Sequence, residues 1–381
     1  TASSYTLVDL ARLDIRLEAN LRGLTLAGDA GWAACVAQLG QGPAEIFPAT
    51  LVALRDASGR HVPAVLEALA AEPRGATALV SALGWSSLSR AEPLLRALQS
   101  SEVPALQRAA VAGYAAHRTL PDPCMDAART RGGPAVLARG LRAIGEVALV
   151  AKAPTLEPFL AAGDHGVRLW AAWSLLLCAP GHAGALEALV RLVPPAVSLG
   201  RLTEIAVDTL ARSLQPTRGR ELHRTLREAN HPRLALLAAH AGGWPETLDE
   251  VVRDMADPRL ARVAGLTFTQ VTGLDLGHHD LEGEPAEDDE PEDARDALLP
   301  WPDPARVAKR WSENRGHYAA GARYLRGEIV SEESVTATLR VGTQAQRRAA
   351  ALERSRLHPG TPVYPTARAG FLQARDLLGW M

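Results

Sequence analysis

The stretch Asp257-Pro258-Arg259-Leu260-Ala261-Arg262-Val263-Ala264-Gly265 decides how this chain is read. A turn residue and a proline lead into an Ala/Leu-rich run with apolar positions every three or four residues, the pattern of a helix with one buried face. Asp before Pro caps a helix, and Pro at the first helical position loses nothing, because the N–H it lacks would be unpaired there. The Ala-Gly pair one turn later lets a second helix approach closely.

Away from this stretch the pattern recurs. His231-Pro232-Arg233-Leu234-Ala235-Leu236-Leu237-Ala238-Ala239 is a near copy, looser ones begin at Val103, Gly133 and Asp164, and a degenerate one begins at Thr343. Up to Gly265 the starts fall about 26–35 residues apart, close to the length of a two-helix repeat unit. Second amphipathic runs such as 88–98 and 183–192 lie between the copies and supply the first helix of each pair. Hydrophobic residues make up 47% of the 381 and aromatics only 4%, so Ala and Leu dominate the apolar set. That favours close-packed helices over strands. No run approaches the ~20 apolar residues of a membrane helix, and the first residues show no basic-then-apolar leader. Cys35, Cys124 and Cys178 are too scattered for a disulfide framework or a zinc site and are expected to be buried free thiols. The expected location is the cytoplasm.

The Asp-Pro-Arg-x-Ala-Arg-x-Ala-Gly stretch and its relatives resemble HEAT-type repeats over roughly 51–273. The resemblance implies an all-α fold, a right-handed α-solenoid of HEAT-like two-helix repeats; an irregular Ala-rich bundle is the alternative. The expected organisation is an N-terminal helical cap (1–50), the solenoid (51–273), an acidic mobile insertion (274–304) and a basic C-terminal helical unit (305–381). Within the cap, leucines at 7, 10, 13, 17, 21 and 24 predict one helix over 7–26, started by Ser3 or Thr6 and ended by Gly28.

Charge is unevenly distributed. Between 280 and 296 ten acidic residues face Arg295 alone, a net charge of −9 in a chain of net −2. Self-repulsion, Pro285 and Pro291 predict a solvated spacer there, with almost no side chains to bury. From 305 to 356 eleven basic residues oppose five acidic ones.

Few constellations carry chemistry. Asp275, His278, His279 and Asp280 are metal-ligand types, but adjacent histidines on a loop do not converge readily on one ion, so no metal and no cofactor is expected. No phosphate-cradling glycine loop and no Gly-x-Ser-x-Gly occurs. A basic groove on duplex DNA, as in the HEAT-like alkylpurine DNA glycosylases, is the alternative function. Arg168, Trp170 and Trp173 would be its contacts, against a near-neutral net charge.

The C-terminal unit holds the densest set of special residues: Trp311, Arg323-Tyr324, Gln344, Arg347-Arg348 and Glu353. With the repeats before it, this part is similar to an uncharacterised proteobacterial family of HEAT-repeat-like proteins whose members occur beside type VI secretion genes. Stacked helix pairs expose a long groove, so the expected function is a non-enzymatic scaffold or adaptor that binds a protein partner, with no catalytic residues, no membrane and nucleic acid disfavoured; the resemblance implies that the partner is a secretion component or an effector. Trp311, Arg323, Tyr324, Gln344, Arg347 and Arg348 are the candidate partner-binding residues, the arginines as two-pronged carboxylate holders and the aromatics as a floor. The competing reading of the same residues is a buried Arg–Glu network, to Glu353 or Glu313, that locks an irregular final repeat.

Overall fold

The computed structural model describes residues 4–130, 132–193, 200–285 and 293–380. Helices take up most of them, and one hairpin of two-residue strands is the only sheet among them.

The local chemistry acts largely as expected. Helix α1 (Leu7–Leu26) starts from Thr6, whose hydroxyl accepts from the Asp9 N–H while the Asp9 carboxylate accepts from the Thr6 N–H. It ends at Ala27, just before Gly28 at φ 55°. Then follow α2 (Asp29–Gln38), α3 (Ile46–Arg55), α4 (Val62–Ala71), α5 (Ala76–Trp85), α6 (Leu88–Ser100), α7 (Pro104–Ala116), α8 (Asp122–Thr130), α9 (Gly133–Val147) and α10 (His165–Cys178). Proline opens α7 and lies in the first turn of α9, as the repeated pattern requires.

The chain forms two compact units. One comprises Thr6–Cys178 with Pro359–Met381, the other Thr1–Tyr5 with Ala179–His358. In the first unit α3, α5, α7 and α9 pack successively on one another, and α10 packs on α9. Residues from 359 onward return to this unit. The Val363 N–H donates to the Glu146 carbonyl at 3.0 Å, and the Gly370 N–H donates to the buried Asp14 carboxylate at 2.5 Å. Phe371 meets Trp85 edge to face at 5.7 Å, and the final helix, Gly370–Leu378, packs along α1.

The second unit contains α11 (Ala183–Val190), α12 (Arg201–Ser213), α13 (Pro216–Glu228), α14 (Pro232–Gly242), α15 (Leu248–Asp254), α16 (Ala261–Thr272), α17 (Pro304–Asn314), α18 (Glu332–Val341) and α19 (Gln344–Leu357). Helices α12, α14 and α16 form a row; α13 packs on α12 and α14, and α15 on α16. The deciding stretch differs in one respect, since α16 starts only at Ala261. The Asp257 carboxylate accepts the Arg259 N–H and pairs with its guanidinium, which holds 257–260 as a turn before the helix.

The hairpin pairs Tyr324 with Ile329 and Leu325 with Glu328 through a turn with positive φ at Arg326 (55°) and Gly327 (82°). Its edge is seated on helix ends. The Tyr324 N–H donates to the Gly243 carbonyl at 2.7 Å, and the Arg326 N–H to the Gln270 carbonyl at 2.8 Å. Gly243 and Gly273, which end α14 and α16, both have positive φ, and a Cβ on either would meet hairpin backbone within 2.5 Å.

The acidic stretch is not a free spacer at its ends. Leu281 is 2% exposed in the core beside Phe268 and Trp311, and Asp296 is also buried. The Gly283 N–H donates to the Trp301 carbonyl at 2.9 Å, and the Asp303 N–H to the Leu281 carbonyl at 2.8 Å, closing the two ends together. Of 280–296, residues 286–292 lie outside the described residues.

Gly243→Ala should lower stability by about 2 kcal/mol or more, from left-handed strain and the displaced hairpin. In contrast, Gly84→Ala, within α5 and with only ordinary contact to Ala116, should be neutral or stabilising. Denaturant titration of both variants checks this.

Candidate functional site

Glu353 sits 2% exposed on α19 among three guanidinium groups. The Arg323 Nη2 and Nη1 atoms donate to its two oxygens at 2.6 and 3.1 Å, and Arg212 Nη1 donates at 2.9 Å. Arg356 Nε lies 3.8 Å away. Burial alone would raise the Glu353 pKa, but the charges of Arg323 and Arg212 outweigh it and hold the carboxyl at about 2. Arg212 also takes Asp208, one turn earlier on α12, in a two-pronged contact at 2.9 Å on each arm. Burial pushes Arg356 down to about 10. Arg323 reaches further, donating to the carbonyls of Gly242 and Ala241 at the end of α14. The cluster therefore joins α12, α14, the hairpin and α19.

Of the candidate C-terminal residues only Arg323 reaches Glu353; Arg347 donates to the Leu339 carbonyl and to Gln344 instead. Of the six candidate partner-binding residues, five are enclosed. Trp311 is 7% exposed, donates to Asp249 Oδ1 at 2.6 Å and packs against Phe268 and Tyr318. The Tyr324 hydroxyl accepts from the Ala319 N–H at 2.8 Å. Gln344 and Arg347 are buried against each other, with Arg347 Nε on the Leu339 carbonyl at 2.8 Å. Side chains enclosed in this way do not meet a docking protein. Arg348 alone is exposed. Partial desolvation, then the like charge of Arg201, lowers its pKa.

Arg201 leads to a second, more accessible cluster on the α12–α14–α16 row. Glu204 accepts from Arg295 at 2.8 and 2.9 Å and lies 3.6 Å from Arg201. Arg233 on α14 pairs with Asp296 and approaches Asp293 at 3.8 Å. Arg262 on α16 donates to the Leu299 carbonyl, and its guanidinium lies over the Trp301 ring at 5.3 Å. Desolvation raises the Glu204 pKa despite Arg233 and Arg201. Residues 293–301 thus cross the three helices in order, and the helices hold them mainly through arginine.

The other constellations make local contacts. Trp170 and Trp173 meet edge to face at 5.5 Å, Arg142 stacks on Trp170 at 4.4 Å, and Arg168 donates twice to the Ala162 carbonyl. Asp275 accepts from the His278 N–H, and its carbonyl contacts His279 Nδ1. No group of three or more His, Cys, Asp or Glu side chains suited to a metal occurs among the described residues. The three cysteines are free and buried, and burial lifts Cys124 and Cys178 to about 11. Among the described residues no helix is long and apolar enough to cross a membrane. Comparison with known proteins returns no matching family, curated protein or solved structure.

Sequence reasoning missed Asp208, Arg212, Glu204 and the role of Arg233 and Arg262. The available signals were the four-residue Asp208–Arg212 spacing and the arginines within the two best repeat copies.

Replacing Glu353 by Gln leaves the guanidinium groups of Arg212, Arg323 and Arg356 short of one buried counter-charge. A loss of about 3 kcal/mol is expected in denaturant titration. His240 gives a pH test. Burial, then the nearby Arg212, holds it at about 4, below the ordinary 6.5. The unfolded chain therefore takes up this proton first, so the folded state is favoured above pH ~6.5 and loses stability as pH falls toward 4. His240→Gln should remove ~2–3 kcal/mol of that loss, read as the difference between the two proteins' stability–pH curves.

Proposed function

We propose that the chain is a cytoplasmic, non-catalytic protein-binding scaffold of HEAT-like solenoid construction, which holds its partner on the α12–α14–α16 face. Support for the construction is the packing of alternate helices in rows, α3–α5–α7–α9 in one unit and α12–α14–α16 in the other. Helix pairs stacked in this way leave a continuous face whose side chains vary without upsetting the core. The observation that carries the functional part is that this face already holds polypeptide: Glu204, Arg233 and Arg262, one from each helix, grip the chain's own 293–301. A secretion-apparatus component or an effector, the class the family resemblance implies, is the first partner to examine.

A photo-crosslinking amino acid in place of Arg201, 67% exposed on α12, should yield discrete heavier adducts in cells of the natural host. The same group in place of Arg224, 71% exposed on α13, should not. Equal yield from both positions, or none from position 201, removes this face as the binding surface.

A further inference from the structure

The segment on the α12–α14–α16 row reads Asp293-Ala294-Arg295-Asp296-Ala297-Leu298-Leu299-Pro300-Trp301. We infer that this row is a receptor for an acidic peptide with two carboxylates three residues apart and a leucine three residues further on, and that 293–301 is its built-in competitor. The inference rests on the scaffold reading above and names the partner's chemistry.

The spacing follows from the contacts. Asp293 caps and Asp296 ends one turn of 3-10 helix, Ala294–Asp296, which brings both carboxylates to Arg233. Leu299 follows after three residues and is buried, whereas the adjacent Leu298 is 85% exposed. The Leu299 carbonyl takes Arg262, and Trp301 lies under the same guanidinium. Without the segment, the face presents Arg201, Arg233 and Arg262 around Glu204. Three guanidinium groups around one carboxylate favour an acidic ligand over a basic one.

The grip is of a kind that exchanges. Its centre, the Arg233–Asp296 pair, is largely buried, but the flanking contacts are solvated, with Arg295 46% and Asp293 23% exposed, so they are weak one by one, screened by salt, and the place where exchange starts. Pro302, against Gly265 of α16, and Asp303, which caps α17, anchor the C-terminal end. Tethering there gives the segment an effective concentration on the order of millimolar. A partner segment of the same chemistry must outcompete it, so the wild-type chain binds free peptide more weakly than the bare face would.

The test uses the full-length chain and a fluorescein-labelled synthetic peptide of residues 293–303, read by anisotropy. In the variant Asp296→Asn/Leu299→Ala, which weakens the resident segment, the peptide should bind at least about tenfold more tightly than to wild type. Adding Arg233→Ala should abolish the gain, and a scrambled peptide should not bind. No gain in a variant whose circular dichroism matches wild type, or a gain that survives Arg233→Ala, overturns the inference. A measurement on the unmodified chain guards against a variant that does not fold. Excess unlabelled peptide should speed hydrogen exchange at the Asp296 and Leu299 amides, both hydrogen-bonded in the resident segment; unchanged exchange overturns it. Crosslinking from position 201, which tests the scaffold reading, does not depend on either result.

Discussion

The carboxylate of Glu353 is the point on which the second unit depends. Taking a charge out of water is costly, and the interior returns that cost only when opposite charges and hydrogen bonds complete its shell. Here Arg212 and Arg323 complete it, and each is fixed by other groups: Arg212 by Asp208, Arg323 by the carbonyls that end α14. Because Arg323 immediately precedes the first strand, holding its guanidinium also fixes where the hairpin crosses Gly243. One ion thereby sets the register of four elements that belong to three distant parts of the chain.

The same residue types act differently a short way along α12. Arg212 and Glu353 are nearly inaccessible, whereas Arg295 and Arg201 are largely open to solvent. In the interior, low polarisability makes each pair strong and each unpaired member expensive, so the arrangement is permanent. At the surface, water and salt compete with every contact, and partners interchange. The two clusters differ most at their edges, where Arg201 and Arg295 are open to solvent; their centres, Arg233–Asp296 and Arg323–Glu353, are both largely enclosed.

Helices were legible because their signals are local. Proline in the first turn, the Thr6–Asp9 box and the Ala/Leu period all act within a few residues, and α1, α7, α9 and α14 follow them closely. The hairpin was not legible, since two residues per strand leave no period and Arg326-Gly327 is an uncommon form of its turn. The ends of the acidic stretch were misread for another reason. A run of like charges signals solvation, but Asp296 finds Arg233 from 63 positions earlier, a pairing no window reveals. For the candidate site, the residues Trp311, Arg323, Tyr324 and Arg347 stood out as unusual types. The sequence supplied no measure of burial, which decides between network and binding surface.

The return of residues beyond 359 to the first unit bears on how the protein is made. Helix α1 and Asp14 are synthesised well before Gly370, which satisfies Asp14 from 356 positions further along the chain. Residues 179–358 of the second unit are translated in between and, at about 5–20 residues per second, have several seconds or more to form first. During that interval the side of α1 that receives the final helix stays uncovered, with Leu7 and Ala11 open to solvent or to a chaperone. The first unit is therefore largely translated before the second and completed after it, and a nascent chain halted before 370 carries it unsealed.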